Sequence, residues 1–249
     1  MLTDTHCHLF NEYFDDFNSV IKDANDNKVC RFINNATNLD NCKEVIITSS
    51  NNKNVYYSLG IHPDSVENDL NELEKLVVKS LNDEKFVAIG EIGLDYHYGK
   101  ENRERQIEVF EFQLALAEKY NLPVIVHSRE ATQDTLDCIK KFKVKGSLHC
   151  FNGSLEIAKE YIKLGFYFGV NGVITFKNAK ISEVIKEIPL ERILLETDCP
   201  YLTPEPFRKY SNEPKYIKTI AEFIANLYSI SLEEVMNITE QNVDNLFDI

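Results

Sequence analysis

Eight short apolar runs, each followed by a stretch of helical periodicity, set the tightest limit on how this chain can fold. The runs cover 2–8, 29–34, 55–60, 86–91, 123–127, 146–150, 166–170 and 192–197. Amphipathic stretches lie between them at 14–25, 41–51, 70–81, 103–120, 132–142, 155–163 and 182–187, and two more follow at 215–228 and 231–247. Strand-like runs alternating with helices imply parallel pairing, because consecutive parallel strands need a crossover. Eight such units in 249 residues fit a closed (β/α)8 barrel of the TIM type, an α/β fold of about 250 residues. An open doubly wound sheet is the rival, but no glycine-rich dinucleotide fingerprint follows the first run. No linker, repeat or low-complexity tract divides the sequence, so one domain over residues 1–249 is expected.

Composition narrows the function. Hydrophobic residues make up 43% of the chain, enough for a core without disulfide or metal staples. The net charge is −13, from 27 basic and 40 acidic residues. That argues against coating nucleic acid or anionic membrane by bulk electrostatics, while leaving room for a local grip on one phosphate. The six cysteines (Cys7, Cys30, Cys42, Cys138, Cys150, Cys199) form no CxxC and no cluster, which speaks against a zinc ribbon or a thioredoxin-like motif. The stretch MLTDTHCHLF carries no basic residue, and no apolar run approaches the roughly 18 residues of a membrane span. A reduced, cytoplasmic monomer without a membrane partner is the expectation.

The chemistry gathers at the strand ends. His6 and His8 close the first run as His-x-His, and residues two apart in a strand face the same way. Cys7 between them faces oppositely and reads as packing. Glu91 closes the fourth run, His127 the fifth, His149 the sixth and Asp198 the eighth. In a barrel all C-terminal strand ends meet on the active face. Four histidines and two carboxylates would therefore converge there. Six donors exceed one tetrahedral ion and suit two divalent ions, with Glu91 as the bridging carboxylate. The expected division places His6, His8 and Asp198 on one ion, and His127 and His149 on the other. The mixed nitrogen and oxygen set admits Zn, Mn or Co, and Mg with more water. Such a pair does hydrolysis through metal-bound hydroxide, with Asp198 taking the proton. Glu196, one layer deeper, is either a support for a ligand or a core hydrogen-bonding group.

Further candidates surround this set. His62 ends the third run in GIHP, Arg129 lies two residues past His127, and Arg208 follows the eighth run. Each could position a phosphate. Tyr96, Tyr98 and Phe151 could stack a base, though loop packing explains them as well.

At these residues the sequence resembles the TatD family of metal-dependent deoxyribonucleases, within the amidohydrolase-type barrels. The matching stretches are DTHCHL, GIHP at 60–63, GEIGLDYH at 90–97, and Gln106, Phe110 and Gln113 on the long helix. PVIVHSREA at 123–131, LHCFNGS at 148–154, LLETDCPYLTP at 194–204 and NEP at 212–214 complete the set. The resemblance covers essentially the whole chain and departs from the family at Cys199 and at the run Arg208 to Ser211. It implies that His6, His8, Glu91, His127, His149 and Asp198 bind metal. It also implies that the substrate is DNA, hydrolysed from the 3′ end of single or frayed strands. An esterase or amidohydrolase, such as a D-aminoacyl-tRNA deacylase, would keep the same metals. A non-catalytic barrel adaptor would be favoured only by a lost ligand, and none is lost.

Overall fold

The computed structural model describes residues 1–249. Eight strands form one sheet in sequential order: β1 (Leu2–Cys7), β2 (Val29–Asn35), β3 (Val55–Leu59), β4 (Phe86–Asp95), β5 (Val124–Arg129), β6 (Gly146–Leu148), β7 (Tyr167–Val170) and β8 (Ile193–Leu195). Each pairs in parallel with the next. The helices between them are α1 (Phe17–Asp26), α2 (Leu39–Asn51), α3 (Leu70–Ser80), α4 (Arg103–Tyr120), α5 (Thr132–Ile139), α6 (Leu155–Lys163) and α7 (Ile181–Ile185), with α8 (Ile217–Tyr228) and α9 (Leu232–Phe247) after β8. The expected α/β barrel of the TIM type is the fold observed. None of the helices is long and apolar enough to cross a membrane.

The barrel closes at a seam between β1 and the segment that follows β8. Asp198 N donates to His6 O at 2.8 Å, and His8 N donates to Cys199 O at 3.0 Å. Asp4, buried in β1, accepts from Thr197 N at 2.9 Å. The outer layer is a large apolar cluster that joins strands to helices. A smaller cluster joins Ile33, Ala88, Ile125 and Leu194 of β2, β4, β5 and β8 to Val243, Leu246 and Phe247 of α9. Side chains from β4 and β8 can meet only inside the barrel, so this cluster is its interior filling and α9 its plug.

Local chemistry explains the boundaries. Asp16 caps α1 by accepting from Ser19 N at 3.1 Å, which starts that helix at Phe17, three residues later than periodicity suggests. Ser231 and Glu234 form a reciprocal capping box on α9. The fourth strand runs on past Glu91 to Asp95, because Leu94 and Asp95 still pair with Ser128 and Arg129. The sixth and eighth strands stop earlier than expected, at Leu148 and Leu195. Beyond each the chain turns through a left-handed residue, Cys150 at φ +47° and Asp198 at φ +61°.

Candidate metal centre

The strand ends bring the six expected residues together. His6 Nε2 lies 3.3 Å from His8 Nε2. Asp198 Oδ1 is 3.9 Å from the first of these and 3.4 Å from the second. Glu91 stands between two groups of imidazoles. Its Oε2 is 3.2 Å from His6 Nε2 and 3.6 Å from His8 Nε2. Its Oε1 is 3.1 Å from His127 Nδ1, 3.7 Å from His62 Nε2 and 3.9 Å from His149 Nε2. Three compact groups of donor atoms result: His6, His8 and Asp198; His62, Glu91 and His127; and His6, His149 and Glu196.

The His149 ring is 6.2 Å from that of His127, and both approach Glu91 Oε1. His149 also stacks on His6 at 3.6 Å, and its Nε2 is 3.7 Å from Asp198 Oδ1. His62, expected to meet a phosphate, also stands within reach of Glu91 beside His127.

Burial makes this arrangement electrostatically demanding. Glu91 and His6 are almost wholly enclosed. Burial alone would raise the Glu91 carboxyl, but His6, His62 and His127 hold it well below the usual carboxylate range. Burial and the His149 charge push His6 down. Burial opposes charge on His127 too, yet its hydrogen bonds to the Asp95 and Glu91 carboxylates lift it to about 9. His149 rises against burial to about 10, through Glu196 and Asp198. Asp198 stays anionic because His149, His8 and His6 outweigh its desolvation. The donor set fits divalent cations on its own geometry. Ring nitrogens and carboxylate oxygens converge there, and the His6 and His8 Nε2 atoms lie 3.3 Å apart beside Glu91 Oε2, an arrangement suited to a shared cation.

Supporting groups orient the set. His8 Nδ1 lies 3.0 Å from the Asn35 carbonyl, which aims Nε2 at the cluster. His149 Nδ1 is 3.0 Å from Glu196 Oε1, and that oxygen also accepts from Cys150 N at 2.6 Å. Gly169 leaves the room, since a Cβ there would overlap the Glu196 carboxylate. Asp95 was not among the sequence candidates. Its Oδ2 is 3.1 Å from His127 Nε2 and 4.0 Å from Arg129 Nη1. Two steps of strand alternation from Glu91 through Gly93 reach Asp95, so it faces the same way once β4 is known to extend that far.

Three side-chain amides clamp the loops that carry these residues, each by pairing both backbone groups of one residue. Asn34 holds Leu9 at 2.8 and 3.2 Å, Gln106 holds Asp95 at 2.9 and 2.8 Å, and Gln113 holds Ile61 at 2.7 and 3.0 Å. Asn212 ties down the loop after β8 by donating to Thr197 O at 2.8 Å and to Tyr201 O.

A cavity of about 560 Å³ opens beside the cluster, and its lining includes His127, His149, Asp198 and Arg129 together with Phe151 and Leu202. Arg208 is not in its lining. Its guanidinium lies 3.9 Å from the centre of the Phe176 ring and donates to Thr203 O at 3.1 Å. Tyr96 is buried and donates to Asp134 at 2.7 Å, and Phe151 packs edge-on against Phe168 at 4.7 Å. Tyr96 therefore serves packing, while Phe151 also forms part of the cavity lining. Cys7 is buried and its Sγ faces Ile33 O at 3.2 Å, as the alternation predicts.

Known proteins carry the same frame. The chain is 44% identical over its full length to YabD of Bacillus subtilis, an uncharacterized metal-dependent hydrolase, covering 100% of both chains. It is 36% identical to YcfH of Escherichia coli, another uncharacterized metal-dependent hydrolase, covering 100% of this chain and 96% of the relative. Among solved structures, the TatD homologue YjjV from Escherichia coli superposes with a TM-score of 0.93 at 31% identity, covering 100% of this chain and 98% of the other. The phosphotriesterase homology protein of Escherichia coli, at 16% identity and a TM-score of 0.67, shares the fold. The family model for TatD-related DNases matches residues 3–248, and with these relatives it shows that the chain belongs to the TatD family.

Proposed function

We propose that this metal-dependent hydrolase of the TatD family cleaves phosphodiester bonds in DNA, removing nucleotides from the 3′ end of single-stranded or frayed strands. One observation carries the reading. Glu91 turns one oxygen toward His6 and His8 and the other toward His127 and His62, the disposition of a carboxylate shared by two cations. His6, His8 and Asp198 would hold one divalent ion and His127 the other, with His62 beside His127 and His149 completing the ligand set within reach of both Glu91 and Asp198. Bound Zn, Mn, Co or Mg ions would supply an acidified water and polarise the phosphoryl group.

The chain's own residues do the rest. Asp198 remains anionic at neutral pH and presents Oδ1 to the imidazoles. Its second oxygen accepts the proton of the attacking water. Arg129, on the cavity wall with its guanidinium part-exposed, orients a phosphate by paired N–H groups. Glu196 and Asp95 keep the His149 and His127 rings in place.

The test is direct. Purified protein, stripped by chelation and reloaded with each ion in turn, is incubated with 3′-labelled single-stranded DNA and with a charged tRNA. Stepwise release of nucleotides from the DNA is expected, and Glu91→Gln and Asp198→Asn should lower kcat/KM by about 10²–10⁴-fold. Cleavage of the aminoacyl ester alone, under matched ions, would replace this reading with the deacylase one.

A further inference from the structure

The most exposed aromatic side chains of this protein all lie on one face. The exposed aromatic side chains are Tyr13 (39%), Tyr98 (82%), Tyr201 (51%) and Tyr210 (54%). Each sits on a loop leaving a C-terminal strand end. Tyr13 lies between β1 and α1, Tyr98 between β4 and α4, and Tyr201 and Tyr210 between β8 and α8. The other large exposed apolar groups are not aromatic: Met1, Ile47, Val78 and Leu81.

Tyr13 and Tyr201 form a built pair. The Tyr201 hydroxyl donates to the Tyr13 hydroxyl at 3.0 Å, and the rings stand 6.0 Å apart at 72°. This fixes two wet rings drawn from distant parts of the sequence. The Tyr201 ring is 6.4 Å from the His8 ring, and Tyr201 also lines the cavity, so the pair adjoins the candidate ligands. Across the cavity, Arg129 lies 5.6 Å from the centre of the Tyr98 ring.

A chain with a net charge of −13 gains no long-range attraction for a polyanion. Beyond the local grip on the reacting phosphate, its hold on a strand draws on contacts that do not depend on phosphate charge. Aromatic faces provide such contacts, because every base offers a π-face, and they do so only where the base is unstacked and unpaired. We infer that Tyr13 and Tyr201 form a stacking platform for an unpaired nucleobase beside the candidate metal centre, which makes the site select single-stranded over paired ends. The inference rests on the reading of the substrate as a DNA strand.

The experiment measures binding apart from turnover. Fluorescence anisotropy in chelator gives dissociation constants for a labelled oligothymidylate and for an abasic strand of equal length and charge. The wild-type protein should prefer the base-bearing strand by about tenfold or more. The ratio should fall close to one in the Tyr13→Ala/Tyr201→Ala double variant. It should return in Tyr13→Phe/Tyr201→Phe, which keeps the rings and loses the hydroxyls. Equal binding of both strands by wild type, including no measurable binding of either, overturns the inference, as does a double alanine variant that keeps the wild-type ratio. Nucleotide release by the metal-loaded wild type is scored separately. A preserved ratio without release overturns the nuclease reading and leaves the platform standing.

Discussion

Two buried imidazoles whose nitrogens lie 3.3 Å apart, both facing one carboxylate oxygen, define the chemistry of this protein at the scale of residues. In the metal-free chain the charge of Glu91 and Asp198 is met by protonated His127 and His149, raised to about 9 and about 10. Both rings must lose a proton before they can donate to a cation. Metal uptake at pH 7 should therefore release protons, and affinity should fall as pH falls. Titration calorimetry in two buffers of different ionisation enthalpy measures this, and identical heats in both buffers would count against ligand roles for these histidines. The six proposed ligands were legible in the sequence because each ends an apolar run, and the barrel sends every such end to one face. His62 was legible as a site residue, yet its sharing of Glu91 with His127 was not. That pairing depends on the curvature of the barrel between β3 and β5, which periodicity does not carry. Asp95 escaped because β4 reads as ending at Glu91, and an acid in a turn gives no sign of direction.

At the scale of elements, the loops of the active face are held by side-chain amides rather than by strand pairing. Gln113 on α4 occupies both backbone groups of Ile61, the residue before His62. Replacing it with alanine leaves a buried N–H and a buried C=O unpaired, at a cost of about 1–3 kcal/mol. Gln113→Ala should show a lower midpoint in thermal denaturation, whereas an unchanged midpoint would mean that water replaces the amide. The strands and helices themselves were readable from period and caps to within a few residues. The largest error falls at β4, where pairing across the sheet decides the end, and β6 and β8 stop early ahead of left-handed turns that apolar character does not show. The spacing of Gln106 and Gln113 was visible as a family feature. Its purpose required knowing which loops α4 faces.

For the whole molecule, stability and chemistry occupy opposite ends of the barrel. α9 plugs the interior with Val243, Leu246 and Phe247, while the candidate ligands crowd the C-terminal rim. Phe247→Ala should cost about 3–5 kcal/mol in urea denaturation. Turnover per folded molecule should be retained, and a proportional loss of both would show that the plug also shapes the rim. The barrel as a class followed from counting units, but the use of α9 as a plug did not, since its apolar stripe could equally have packed outside. The seam has its own consequence. Because Asp198 N binds His6 O and His8 N binds Cys199 O, half of the cluster exists only where early and late segments have met. A ribosome that has emitted β1 to β5 has released His6, His8, Glu91 and His127 but neither His149 nor Asp198. The unfinished polypeptide therefore lacks part of the candidate cluster, which is whole only once the segment after the last strand has docked against the first.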